Sequence, residues 1–192
     1  MAAWKPPKWQ LAFLAVLSAS YTTGVEGSQS AEKFFNHQGN IFLVGYSAGI
    51  IPASPLVICV NSSYLGSSGS NIWRRVKFQE QDTIDPELWK PSHIDVTLKI
   101  AGGDEDTWSS ITFEDMHPRQ GQRYLGKFPL LFGNENCVVI GNNVPSAPGN
   151  RSCMMWSTKN TFTSSIEPCR SAFEGHCDYT MVIETDDVDY CT

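Results

Sequence analysis

The chain has 192 residues, with 14 Lys and Arg against 20 Asp and Glu, and a formal net charge of −6 at pH 7. An acidic chain is a poor nucleic-acid binder, because neutralising phosphates requires clustered Lys and Arg. The one close basic group is Arg74, Arg75 and Lys77, and a group of this size is usually a solvated strand face. We therefore predict no nucleic-acid partner.

Residues 1–27 have the pattern of a secretory signal. Lys5 and Lys8 precede an apolar run over 11–17, and cleavage is expected before Ser28, with cleavage after Ser20 as the alternative. The run is too short to span a bilayer, which takes about 20 apolar residues, and no later stretch is long enough. We predict an exported, extracellular protein with no membrane span, in which residues 28–192 form a single domain.

All six cysteines follow the predicted signal: Cys59 stands alone, and the other five lie between residues 137 and 191. An even number in an exported chain predicts three disulfides, but the sequence alone does not choose their pairing. Two sequons predict surface N-glycans on Asn61 and Asn150. Neither C-x-x-C nor H-x-x-x-H spacing occurs, so we predict no metal site and no cofactor.

Short strands dominate the predicted secondary structure. The clearest covers 93–100, where Ile94, Val96, Leu98 and Ile100 alternate with polar residues. Further strands are expected at 41–44, 56–60, 73–79, 108–113, 127–132, 137–140, 153–156 and 178–183. Helical character is limited to a turn or two over 31–35 and to 169–177. Eight or nine short strands separated by turn signals predict an antiparallel barrel or sandwich.

A barrel of about eight strands can enclose one small ligand. Alternation and aromatic content give the first candidate lining residues: Trp73, Phe78, Val96, Leu98, Trp108, Phe113, Phe128, Phe132 and Trp156. The alternative is that these side chains only fill a dry core.

Gly45-Tyr46-Ser47-Ala48-Gly49 matches the G-x-S-x-G pattern of hydrolases. The hydrolase elbow requires a helix immediately afterwards, yet Pro52 and Pro55 interrupt one here. Too few strands precede the motif to build a hydrolase sheet. We therefore predict that the protein is not an enzyme, with an esterase built on Ser47 as the weaker alternative.

The cysteine-rich end resembles the secreted lipocalins of tick saliva. The resemblance lies in Cys137-Val138-Val139, in Cys153-Met154-Met155-Trp156, and in Cys169, Phe173, Cys177 and Cys191. It implies an all-β fold: an eight-stranded antiparallel lipocalin barrel with a short C-terminal helix. It also implies the disulfides Cys59–Cys191, Cys137–Cys169 and Cys153–Cys177. The G-x-W signature of other lipocalins is missing near the first strand, as it often is in the tick proteins.

Amine-binding members of this family carry an acidic residue after the first of these cysteines and another before the Trp. This chain has Val138 and Met154 at those positions, which adds both to the candidate lining. A desolvated ammonium needs carboxylate partners, so the substitutions favour an uncharged apolar ligand, such as a sterol or a fatty acid. Glu80 or Asp82 as replacement carboxylates would keep histamine or serotonin binding open.

The proline-containing segment over 43–57 resembles the Japanin-type members of the family, which bind cholesterol and alter host dendritic-cell behaviour. The resemblance implies a salivary, immunomodulatory carrier of a sterol or fatty acid, acting as a monomer. Its implied partners are the small apolar ligand and a host immune-cell receptor or other host protein. The two alternatives are an amine scavenger and a protein-binding lipocalin whose barrel is only a scaffold.

Overall fold

The computed structural model describes residues 23–47, 50, 56–102, 110–116, 124–142, 151–159, 164–178 and 180–182. Helix α1 (Thr23–Phe35) comes first. The strands that follow are β1 (Ile41–Ser47), β2 (Val57–Ser68), β3 (Asn71–Gln81), β4 (Trp89–Ala101), β5 (Ser110–Asp115), β6 (Tyr124–Gly133), β7 (Cys137–Gly141) and β8 (Cys153–Ser157). Helix α2 (Glu167–His176) and the short β9 (Thr180–Val182) complete the described elements.

The sheet closes on itself. Strands β2 to β8 pair antiparallel with their sequence neighbours, β8 pairs with β1, and β1 pairs back with β2 through Ile41↔Ser62 and Phe42↔Asn61. Strand β9 pairs with the second half of β1. The β1–β2 pairing rules out the sandwich and confirms the predicted eight-stranded antiparallel barrel. Closure leaves little unpaired strand edge.

Alternation along each strand separates two cores. The first lies inside the barrel and includes Leu43, Ile72, Leu98, Val138 and Trp156. Its members come from opposite sides of the closed sheet, and α1 contributes Ala31, Phe34 and Phe35 to it. Paired residues share a face, and Ile72↔Leu98 and Val138↔Trp156 are paired accordingly.

The second core lies on the outer surface, beneath α2. Phe173 and Ile166 pack there against Val139 and Met155, which face away from the barrel interior. Pro168 stands in the first turn of α2, where its missing N–H costs no helical hydrogen bond. This arrangement confirms the predicted C-terminal helix and explains why β7 is buried along its whole length.

Two disulfides connect this region, as the family resemblance implied. Cys137–Cys169 ties β7 to α2, and Cys153–Cys177 ties β8 to the residue after α2. Cys59 is also disulfide-bonded. Its expected partner, Cys191, lies outside the described residues, so the Cys59–Cys191 pairing stays a prediction.

The N-terminal helix is longer than the sequence indicated. A turn or two was expected over 31–35, whereas α1 extends back to Thr23. The predicted signal cleavage before Ser28 therefore falls within this helix. The boundary between signal and domain remains a prediction.

Candidate functional site

Helix α1 closes one end of the barrel. It packs on β4, β6 and β7, at the end where the β2–β3 and β6–β7 turns lie. An exposed ion pair at 2.8 Å, from Lys33 on α1 to Glu135 in the β6–β7 turn, marks this contact. Ligand entry is therefore expected at the opposite end, where the β3–β4 turn lies.

Arg74 on β3 fixes the helix in place. Arg74 is 1% exposed, and its guanidinium donates to the backbone oxygens of Phe35 at 2.8 Å, His37 at 2.9 Å and Gly39 at 2.9 Å. It also donates to Ser62, to Oγ at 3.0 Å and to the backbone oxygen at 2.8 Å. These bonds use all five guanidinium N–H groups.

The acceptors around Arg74 are all neutral. Burial lowers the pKa of the Arg74 guanidinium to about 10, which still leaves it charged at neutral pH. The ring of Tyr64 lies 5.9 Å from the guanidinium carbon and adds a cation–π contact. Arg74 is thus the buried cation of the described residues, and it is committed to the helix rather than to a ligand.

Most of the predicted lining residues meet inside the barrel. Val96, Leu98, Val138 and Trp156 are buried members of the interior core, and Phe113, Phe128 and Met154 pack against it partly buried. The rings of Phe113 and Phe128 meet edge to face with centroids 5.5 Å apart. These seven side chains belong to one apolar cluster on the inner wall of the barrel.

Val138 and Met154 both contribute to that wall, where the amine-binding members carry acids. Val138 is fully buried and pairs with Trp156. Met154 is half-buried and pairs with Ile140 on one side and Tyr46 on the other. Both positions thus face the interior, and both are apolar here.

Phe132 does not line the interior, contrary to expectation. The register shifts between Leu130 and Phe132, so Leu130 pairs with Ile140 whereas Phe132 pairs with Val139. A bulge of this kind moves every following residue to the other face. Phe132 therefore packs in the outer core.

Trp73 is a second correction. It alternates with Ile72 and Arg74, which point inward, so it lies on the outer face opposite Thr97. Phe78 shares the face of Val76 by register but borders an outer cleft near the open end. Trp108 and Asn150 lie outside the described residues, so their roles remain predictions.

Sequence reasoning missed several interior residues. They are Tyr46, Val60, Tyr64, Ile111, Leu130 and Ile140. The alternation on β3 was ambiguous because Arg74 has an inward position, which a charged residue rarely takes. The aliphatic members were detectable as strand residues, but their facing depends on the bulges.

Ser47 is a structural residue. It is fully buried at the end of β1, where Oγ accepts from the backbone N–H of Cys153 at 2.9 Å and donates to the backbone oxygen of Asp178 at 3.1 Å. The hydroxyl thus joins β1 to β8 and to the segment after α2. No described His contacts it, and the geometry gives the esterase alternative no support.

One of the two carboxylates considered as replacements for the missing acids already has partners within the protein. Asp82 forms an ion pair with Lys90 and accepts from the backbone N–H groups of Ile84 and Asp85. The hydrogen bond from Lys90 and those from the backbone lower the pKa of the Asp82 carboxyl to about 2. Asp115 is half-buried and pairs with Val96, which places it on the interior face.

Among the described residues, no His, Cys, Asp and Glu side chains group in a way that would hold a metal ion. No described helix has the length and hydropathy required to cross a membrane.

A closed eight-stranded barrel with an apolar interior, one end plugged by a helix and a second helix outside defines a lipocalin-like ligand-binding fold. Two solved structures share this fold. Japanin from Rhipicephalus appendiculatus, bound to cholesterol, matches with a TM-score of 0.57 and 13% identity, over 79% of this chain and 95% of that one. Lobster apocrustacyanin A1 matches with a TM-score of 0.53 and 11% identity, over 83% and 82%. Identities this low establish the fold alone.

A sequence model narrows the class to a family. The model described as tick histamine binding protein matches residues 58–191, which is more than half of the 192 residues. The chain therefore belongs to the tick histamine-binding protein family, and the predicted tick salivary lipocalin is confirmed. Among curated protein sequences, no match was found.

Proposed function

We propose that this protein is a salivary carrier that holds one uncharged apolar molecule, a sterol in the first instance, inside its barrel. The observation that carries the proposal is the apolar pair Val138 and Met154 on the interior wall. An ammonium placed beside them would lose its hydration without gaining a carboxylate. The ring system and tail of a sterol have no polar group to desolvate there, and they gain dispersion contacts.

Arg74 favours a sterol over a fatty acid. A carboxylate carried deep into the barrel needs a donor, and all five N–H groups of Arg74 are bound to protein oxygens. A fatty acid would therefore place its carboxylate towards the open end. The fold shared with cholesterol-bound Japanin is consistent with a sterol ligand.

The biological role in this proposal is modulation of host immune or inflammatory responses, through withdrawal of the ligand or through contact with a host immune-cell receptor. Membership of a tick family and the disulfides are consistent with secretion into saliva. The protein is proposed to act as a monomer and without catalytic activity. Lipocalin-like barrels are typically carriers rather than enzymes.

Asp115 supports one alternative, the scavenging of a biogenic amine. By register this carboxylate is on the interior face of β5, beside Val96. An amine held near the open end would not have to pass Val138, which lies towards the closed end of β7. This alternative predicts that Asp115→Asn abolishes amine binding.

Native mass spectrometry after refolding with a panel of sterols and fatty acids tests the proposal. We expect a one-to-one sterol adduct. Failure to form any adduct, together with calorimetric titration of histamine or serotonin at sub-micromolar affinity, would establish the amine alternative instead. An adduct with fatty acids but not sterols would contradict the reasoning from Arg74.

A filled-barrel variant separates the carrier from the scaffold. Met154→Trp adds bulk to the interior wall and should remove the sterol adduct. If the barrel is only a scaffold, the effect of this variant on host cells will equal that of the wild type. If the ligand is required, the effect will be lost together with the adduct.

A further inference from the structure

A cleft of about 430 Å³ lies on the outer surface of β2, β3 and β4. Its wall includes Asn61, Lys77, Gln79, Pro91 and His93. The volume is within the range of small-molecule sites, about 300–1,000 Å³. This cleft is separate from the barrel interior, and its use does not depend on the proposed ligand.

Strand register places Asn61 on the outside. Asn61 pairs with Lys77, which in turn pairs with His93, so the three form a row across the sheet. The next residue, Ser62, pairs with Val76 and binds Arg74 inside the barrel. A glycan on Asn61 therefore meets solvent and the cleft, whereas the opposite register would direct it into the barrel.

The amide of Asn61 is already oriented. Its Nδ2 donates to the backbone oxygen of Cys59 at 3.2 Å, across a point where the β2–β3 register shifts. Cys59 adopts a left-handed backbone conformation there, with φ of 59°. Glycosylation replaces one of the two N–H bonds of Nδ2 and leaves the other as a donor.

The wall of the cleft offers what an N-acetylated sugar requires. Lys77 and His93 are exposed, and neither has a side-chain hydrogen bond or ion pair with another residue in the described ranges. Their N–H groups can donate to sugar hydroxyls and to an acetamido oxygen. Gln79 adds an amide, and Pro91 adds an apolar surface for the ring.

We propose that Asn61 carries an N-linked glycan and that its first N-acetylglucosamine residue occupies this cleft, against Lys77 and His93. In the transfer, the bond between Asn61 Nδ2 and sugar C1 forms while the bond from C1 to the lipid pyrophosphate carrier breaks. Nδ2 loses one proton, and the lipid pyrophosphate leaves. The glycan then covers the row formed by Asn61, Lys77 and His93.

The test is covalent footprinting of protein secreted from insect cells. Glycopeptide mass spectrometry first measures occupancy of Asn61, which we expect to be nearly complete. An endoglycosidase then trims the glycan to a single N-acetylglucosamine. Lys77 is probed with an acylating reagent and His93 with diethyl pyrocarbonate, and both should react at least five times more slowly than in the unglycosylated protein.

Ser63→Ala is the matched control variant, since it removes the sequon and retains Asn61. Asn61→Gln provides a second unglycosylated form if Ser63→Ala does not fold. Lys159, which is exposed and remote in sequence from the cleft, should react equally in all forms. Protection that persists with the one-sugar remnant supports the proposal. An unoccupied Asn61, or equal reactivity of Lys77 and His93 with and without the remnant, would refute it.

Discussion

Replacing Arg74 tests whether one buried guanidinium holds the closed end of the barrel. In Arg74→Ala, the backbone oxygens of Phe35, His37 and Gly39 and both oxygens of Ser62 lose their donor. Hydrogen bonds from charged donors contribute about 1.5–3 kcal/mol each, but the guanidinium also regains hydration on unfolding. We expect a net loss of about 4 kcal/mol in the free energy of unfolding, which is in the range reserved for broken buried networks.

The assay is urea unfolding followed by circular dichroism, with the disulfides intact. Arg75→Ala is the matched control: the neighbouring side chain points outward, is 39% exposed, and forms a bidentate ion pair with Asp95. Its loss should be smaller than that of Arg74→Ala but measurable, because solvent screens the partly exposed Arg75 charge, whereas the Asp95 carboxylate that it leaves behind is 8% exposed. Arg74→Lys should fall in between, since an ammonium has three donors for five acceptors. A loss below about 1 kcal/mol in Arg74→Ala would refute the anchoring role.

Three further predictions concern the site and its supports. Met154→Glu should weaken sterol binding at least tenfold and create histamine binding, both measured by calorimetry. Met154→Gln is the neutral control, and histamine binding by this variant would contradict the role given to the carboxylate charge. Ser47→Ala should lower the free energy of unfolding by about 1–3 kcal/mol, because it leaves the Cys153 N–H buried without an acceptor. It should not alter sterol affinity. Labelling of wild-type Ser47 by a serine-hydrolase probe would instead support the esterase alternative. The pKa of Asp82 is lowered from 3.8 to about 2 in the folded protein, so the contribution of Asp82 to the free energy of unfolding is complete above pH 3.8 and is lost as the pH falls towards 2. Asp82→Asn should flatten the dependence of the free energy of unfolding on pH in this range. An unchanged dependence would show that the Lys90 pair does not form.

The sequence by itself determined that the protein is built mainly of short antiparallel strands. Alternation along β4 gave the inward face of Val96 and Leu98 because the side-chain period of a strand is two and does not depend on its neighbours. The cysteine spacing, through the family resemblance, gave two disulfides that the structure confirms, Cys137–Cys169 and Cys153–Cys177. The chain length and the number of strands left the barrel and the sandwich open.

Tertiary structure decided which residues share the interior. The bulge between Leu130 and Phe132 reversed the face of Phe132, and its position depends on pairing with β7 rather than on the local sequence. The sequence did not show that Arg74 is buried, because its acceptors at the end of α1 and in the segment that follows it are 35 to 39 residues away in the chain. The two-residue alternation of side chains can assign residues to a face within one strand. Closing the barrel and anchoring α1 require contacts between distant segments, which local periodicity does not encode.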